Sequence, residues 1–107
     1  MKINTWYAQQ FAAMLARLKS ITDADGQTLL DGSVVFWVNE LSRGTLHDRR
    51  DLPYVLAGKG NGALRPGRFL RVNQPHNKLF ASFQNMFGIP GTSFGDPAYP
   101  GTLAGLS

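Results

Sequence analysis

The chain has 107 residues and no cysteine, which leaves room for one domain and excludes disulfides, thiolate metal sites and cysteine nucleophiles. Its net charge is +4, and from Arg43 to Lys78 eight Lys/Arg (Arg43, Arg49, Arg50, Lys59, Arg65, Arg68, Arg71, Lys78) stand against Asp48 and Asp51 alone. Such a stretch suits a solvated surface or an anionic partner, while no apolar run reaches the roughly 18 residues of a membrane span.

Residues 4–21 read as an amphipathic helix, with 5–20 packed on the sheet. Tyr7, Phe11, Met14, Leu15 and Leu18 share one helical stripe that predicts a core-facing side. Asn4 or Thr5 is the expected cap, and Arg17 and Lys19 suit the negative end of the helix dipole. The first residues lack the basic, apolar, small-residue order of a signal peptide.

Asp23-Ala24-Asp25-Gly26 reads as a turn; it opens like a calcium loop but lacks the later ligands. Thr28-Leu29-Leu30 leads to a second turn at Asp31-Gly32. The apolar, β-branched run Val34-Val35-Phe36-Trp37-Val38 then predicts a buried strand over 34–38. Leu52-Pro53-Tyr54-Val55-Leu56-Ala57-Gly58 predicts another over 53–57. The connection between them leaves parallel pairing open, although a crossover usually needs a dozen or more residues.

Glu40 at the strand end and His47 in the loop lie where α/β folds gather ligands. An ordinary loop histidine, and a Glu40 that pairs with Arg43 or Arg49, are the plainer alternatives. Gly58-Lys59-Gly60-Asn61-Gly62 could turn amides toward an anion, with Lys59, Arg65 and Arg68 as candidate anion-binding side chains, but it lacks the spacing and the Lys-Ser/Thr ending of a P-loop. A flexible turn is the alternative.

Phe69-Leu70-Arg71-Val72 predicts a short third strand at an edge. Residues 78–87 predict a second helix with Asn77 as cap, an apolar stripe of Leu79, Phe80, Phe83, Met86 and Phe87, and Gly88 past its end. His76 reads as a turn residue. From about 89 the chain becomes a loop-rich tail, with Phe94 and Tyr99 as expected anchors. The whole predicts a small α/β domain over 1–107: a sheet of two to three strands packed by two helices. A basic nucleic-acid-binding module is a further alternative that the charge bias favours, but the phenylalanines of the second helix fall at core positions and not among basic residues, which argues against it.

The order of these pieces carries a resemblance. They are Leu15-Ala16-Arg17-Leu18-Lys19, Asp25-Gly26-Gln27-Thr28-Leu29-Leu30-Asp31, Asn39-Glu40-Leu41, His47, Asp51 to Gly58, Gly67-Arg68-Phe69-Leu70, Phe87-Gly88-Ile89-Pro90 and Phe94-Gly95-Asp96. Together they are similar to the C-terminal end of a family of exported bacterial proteins of unknown function. Its members often carry a twin-arginine signal far upstream and are related to the alkaline-phosphatase and sulfatase superfamily.

The resemblance covers nearly the whole chain but about the last quarter of a typical member. It implies a C-terminal fragment of an alkaline-phosphatase-like fold. Glu40 and His47 would match residues at or beside a metal site, with a divalent metal such as zinc as the implied cofactor. It also implies that the nucleophile and the other ligands lie in a missing N-terminal region, so the chain is not expected to be catalytic alone. Apolar surface left bare would drive a homo-oligomer. Asn39 in place of a small residue, and Leu41-Ser42-Arg43 before Gly44, depart from the family pattern.

Overall fold

Helix α1 runs Lys2–Lys19, built on alanines and unbranched side chains with no Gly or Pro inside, in a computed structural model that describes residues 2–107. It starts upstream of Asn4 and Thr5, so both lie inside the helix and neither caps it. The stripe is core-facing in part: Phe11, Leu15 and Leu18 are half-buried, whereas Tyr7 and Met14 are exposed beside Ile3 and Trp6. Phe11 meets Trp37 at a ring distance of 5.4 Å. Two strands about 5 Å apart are too narrow to cover a wide helical stripe, which is why half of it stays in water.

The chain divides into two compact units, Met1–Gly62 and Ala63–Ser107. In the first, the turn after α1 forms as expected. The Asp23 carboxylate accepts from the Asp25 and Gln27 amides, both at 3.0 Å. The expected turn at Asp31-Gly32 is instead a one-turn helix, α2, Leu29–Gly32. A capping box makes it: the Asp31 amide donates to Thr28 Oγ1 at 3.1 Å while the Thr28 amide reaches back to Asp31 Oδ2 at 3.3 Å.

Strands β1 (Val34–Val38) and β2 (Tyr54–Gly58) pair antiparallel, with Phe36 opposite Leu56 and Trp37 opposite Val55. The connection 39–53 is therefore a hairpin loop and not a crossover. Gly58 closes the ladder at φ +91°, where a side chain would collide with the Ser33 carbonyl. None of the described side chains of this unit is fully buried.

In the second unit, helix α3 spans Asn77–Met86, one residue ahead of its expected 78–87. Asn77 does not cap it. His76 stands at the cap without a side-chain bond, and the Asn77 amide group donates to the Phe94 carbonyl at 3.0 Å. The end follows expectation: Gly88 sits at φ +74°, its amide donating to Asn85 O at 3.1 Å while the Ile89 amide donates to Gln84 O at 2.9 Å. That is the Schellman arrangement, and it needs the positive φ of glycine.

The third strand expected at 69–72 does not form. Phe69 is 87% exposed, and this unit holds no other strand to pair with it. Leu64, Leu79, Ala81 and Leu106 make its small core. Phe94 meets Phe80 at a ring distance of 5.1 Å; Tyr99 is about as exposed as Phe94, and Leu103 and Leu106 also hold the tail. The Leu103 amide donates to Lys78 O at 3.1 Å and to Ser82 Oγ at 2.9 Å.

Candidate functional site

Loop 39–53 holds both candidate ligands, in an ordered frame. The Ser42 amide donates to Asp48 O at 2.8 Å, and the Leu46 and Asp48 amides return to Arg43 O at 3.2 and 3.3 Å. This closes a tight turn over 43–48. His47 sits in it at φ 49°, and Asp51 follows at φ 52°. Positive φ is uncommon outside glycine, though Asp and His adopt it more readily than most residues; at His47 the bonds that close 43–48 frame it. Glu40 and His47 are both exposed.

Neither Arg43 nor Arg49 pairs with Glu40. The ion pairs among the described residues are Arg50 with Asp48 at 3.5 Å and Lys59 with Asp31 at 2.9 Å. Among the described residues, no group of three or more His, Asp or Glu side chains converges as a metal centre. Glu40 and His47 are thus two exposed candidate side chains, short of the three or four ligands that a zinc site draws from protein. An imidazole and a carboxylate remain the right donor types for zinc.

Two of the candidate anion-binding side chains, Lys59 and Arg68, have partners within the chain. The Lys59 ammonium lies on Asp31. The Lys59 amide turns to Leu30 O at 3.4 Å, Gly60 to Ser33 O at 3.0 Å and Gly62 to Lys59 O at 2.9 Å. Those three amides tie the loop to α2 and to itself and do not form a cradle. In the second unit Arg68 donates through Nε to Arg65 O at 2.9 Å and through its terminal nitrogen to Leu106 O at 3.0 Å. Its guanidinium is a clasp on the tail. The Arg65 amide adds a bond to Leu106 O at 2.8 Å.

Asp31 is the strongly perturbed carboxylate. The Thr28 hydroxyl, donating at 2.6 Å, is the largest cause and Lys59 the next; together they lower its pKa from 3.8 to about 2. A pKa lower in the folded chain means stability that is complete above the unfolded value and is lost as pH falls through the folded one. We therefore expect the α2 cap and its tie to Lys59 to loosen between about pH 4 and pH 2. Amide exchange at Lys59 and Gly60 checks this: protection should fall over that window in the wild type, and Asp31→Asn should show low protection with no such step. Burial pushes the Tyr54 phenol above its ordinary range.

A feature missing from the sequence reading is a shallow apolar groove in the first unit, lined by Tyr7, Gln10, Phe11, Met14, Phe36 and Trp37. Its signal was present in the helix, since Ile3, Trp6, Tyr7 and Met14 make a second flank of the stripe too wide for two strands. Comparison of the chain with protein-family models, with curated proteins and with solved structures gives no match. Among the described residues no helix is long and apolar enough to cross a membrane.

Proposed function

We propose that this chain is the C-terminal segment of an alkaline-phosphatase-like exported protein, inactive alone, which offers Glu40 and His47 as part of a divided metal site. The observation that carries the reading is the sheet of the first unit. Strands as continuously apolar as VVFWV and YVLAG belong to sheets covered on both faces. Here they form a two-stranded sheet with no fully buried side chain, a size that is marginal by itself in water. On this reading further polypeptide covers them, and the same polypeptide supplies the other ligands and the nucleophile.

A second reading, hydrolysis of phosphate or sulfate esters once assembly completes the site, is favoured by the held positive φ of His47. Alone, the chain is proposed to self-associate through its bare apolar surface.

Calorimetric zinc titration of wild type, His47→Ala and His47→Asn tests the ligand role. Asn tolerates positive φ, so it removes the imidazole while sparing the turn, whereas Ala adds about 1 kcal/mol of backbone strain. Wild type should bind zinc weakly, and both variants about tenfold more weakly or worse. Equal heats for all three would remove the metal role. Turnover of p-nitrophenyl phosphate or sulfate by the isolated chain would overturn the segment reading.

A further inference from the structure

We propose that Asn61-Gly62 is a self-modification site: the Gly62 amide closes on the Asn61 side chain when the loop after β2 opens, and the product keeps that loop open. Every group involved lies in the first unit, Met1–Gly62.

Among the asparagines only Asn61 is followed by glycine. Asparagine is a chemically labile residue, and a following glycine makes it more so. Glycine has no Cβ to hinder its own amide nitrogen, and its backbone turns freely. In the reaction the Gly62 nitrogen attacks Asn61 Cγ and a new C–N bond forms. The bond from Cγ to the side-chain nitrogen breaks. The proton lost by the Gly62 amide passes through water to the departing nitrogen, which leaves as ammonia. Water then opens the five-membered imide at either carbonyl, giving aspartate or isoaspartate. Nothing is oxidised or reduced, and water is the co-reactant.

The folded loop withholds this reaction. Asn61 sits at φ 56° and ψ 35° in the short turn Gly60–Gly62. In an L residue that ψ places the next nitrogen nearly anti to Cβ, whereas ring closure needs the two nearly eclipsed. Nearly half a turn about the Asn61 Cα–C bond separates the two arrangements. Bonds resist that turn. The Gly62 amide donates to Lys59 O at 2.9 Å, the Gly60 amide donates to Ser33 O at 3.0 Å, and the Lys59 ammonium holds Asp31 at 2.9 Å. The attacking nitrogen is itself the donor in the first of these bonds, so the turn opens before the ring closes. The rate therefore follows the open fraction of the loop.

The product does not fit the closed loop. Isoaspartate carries the main chain through the former side chain, and the extra methylene spoils the register of the Gly62 bond to Lys59. Either product also adds a carboxylate to a turn that lies against α2: a Cβ built on Gly32 would stand 3.5 Å from Asn61 Oδ1. The new negative charge comes close to Asp31 and weakens the hold of that carboxylate on the loop. Modification is therefore a one-way release of the loop from α2.

Wild type and Lys59→Met, each folded and in urea, are held in mildly alkaline buffer, digested with trypsin and mapped for isoaspartate. In both, the peptide ending at Arg65 carries Asn61 and no other asparagine. Folded wild type should react about tenfold more slowly than in urea, and folded Lys59→Met about threefold faster than folded wild type, the worth of a part-exposed ion pair. In urea the two should match. Asn61→Gln, whose longer side chain cannot close the five-membered ring, should stay unmodified. Modified wild type, separated by its charge, should have lost exchange protection at the Lys59 and Gly60 amides. Equal rates in folded and unfolded wild type, or in folded wild type and Lys59→Met, would overturn the control by the loop. Isoaspartate at Asp25-Gly26 and none at 61 would overturn the site, and full protection in the modified chain would overturn the one-way release.

Discussion

Gly58→Ala should destabilise the first unit by about 3 kcal/mol or more, against about 1 kcal/mol for Gly62→Ala. The two glycines have nearly the same backbone strain, with φ +91° and +92°. They differ in surroundings. A Cβ on Gly58 would overlap the Ser33 carbonyl oxygen and lie 2.9 Å from the Leu30 carbonyl oxygen, whereas one on Gly62 meets nothing within 4 Å. Both obstacles at Gly58 are backbone, so neither can swing aside as a flexible side chain could. The same carbonyls receive the Gly60 and Lys59 amides, so moving them would also break the loop that ties β2 to α2. Both tryptophans, Trp6 and Trp37, lie in this unit, so urea unfolding followed by their fluorescence reports on it alone. Equal midpoint shifts for the two variants would show that the clash is relieved cheaply.

What could be read from the chain was what is decided locally. β1 and β2 are apolar, β-rich runs bounded by turn residues, and both formed, β2 one residue late. The stop of α3 lay in Gly88-Ile89-Pro90. Element starts were lost where a distant partner decides. Asn77 has a capping side chain, but the Phe94 carbonyl claims it from the tail. The run at 69–72 has strand composition, yet a strand exists by pairing and its unit offers no partner. The Thr28-Leu29-Leu30-Asp31 box was there to see, hidden by the turn signature of Asp31-Gly32.

The candidate site divides the same way. That Glu40 lies just past the end of β1 and His47 in the loop beyond it was legible. The positive φ of His47 was not, because it depends on the closure of 43–48 through Ser42 and Asp48. Lys59 reads from sequence as a candidate anion-binding side chain; its partner Asp31 lies far back in the chain and is brought to it by the antiparallel ladder. Basic composition does not show these partners: Lys59 has a carboxylate and Arg68 two carbonyls, and neither fact has a local signature.

Leu106→Ala should destabilise the second unit by about 2–3 kcal/mol, the usual result of emptying a leucine site in a core. The expectation is large for a residue one from the end of the sequence, and its basis is geometric. Leu106 is 5% exposed and joins Leu64, Leu79 and Ala81 in the small core. Its carbonyl is the point where the Arg65 amide and the Arg68 guanidinium both end. Loosening the side chain should therefore release the clasp as well, and Arg68→Met should mimic part of the loss while leaving the core full. No tryptophan reports on this unit, so exchange of the α3 amides at Leu79, Ala81 and Ser82 is the measurement. Their protection should drop most in Leu106→Ala, less in Arg68→Met and little in Tyr99→Ala, whose ring is 45% exposed. A drop in Tyr99→Ala as large as that in Leu106→Ala would mean that the aromatic, and not the terminal leucine, holds the tail.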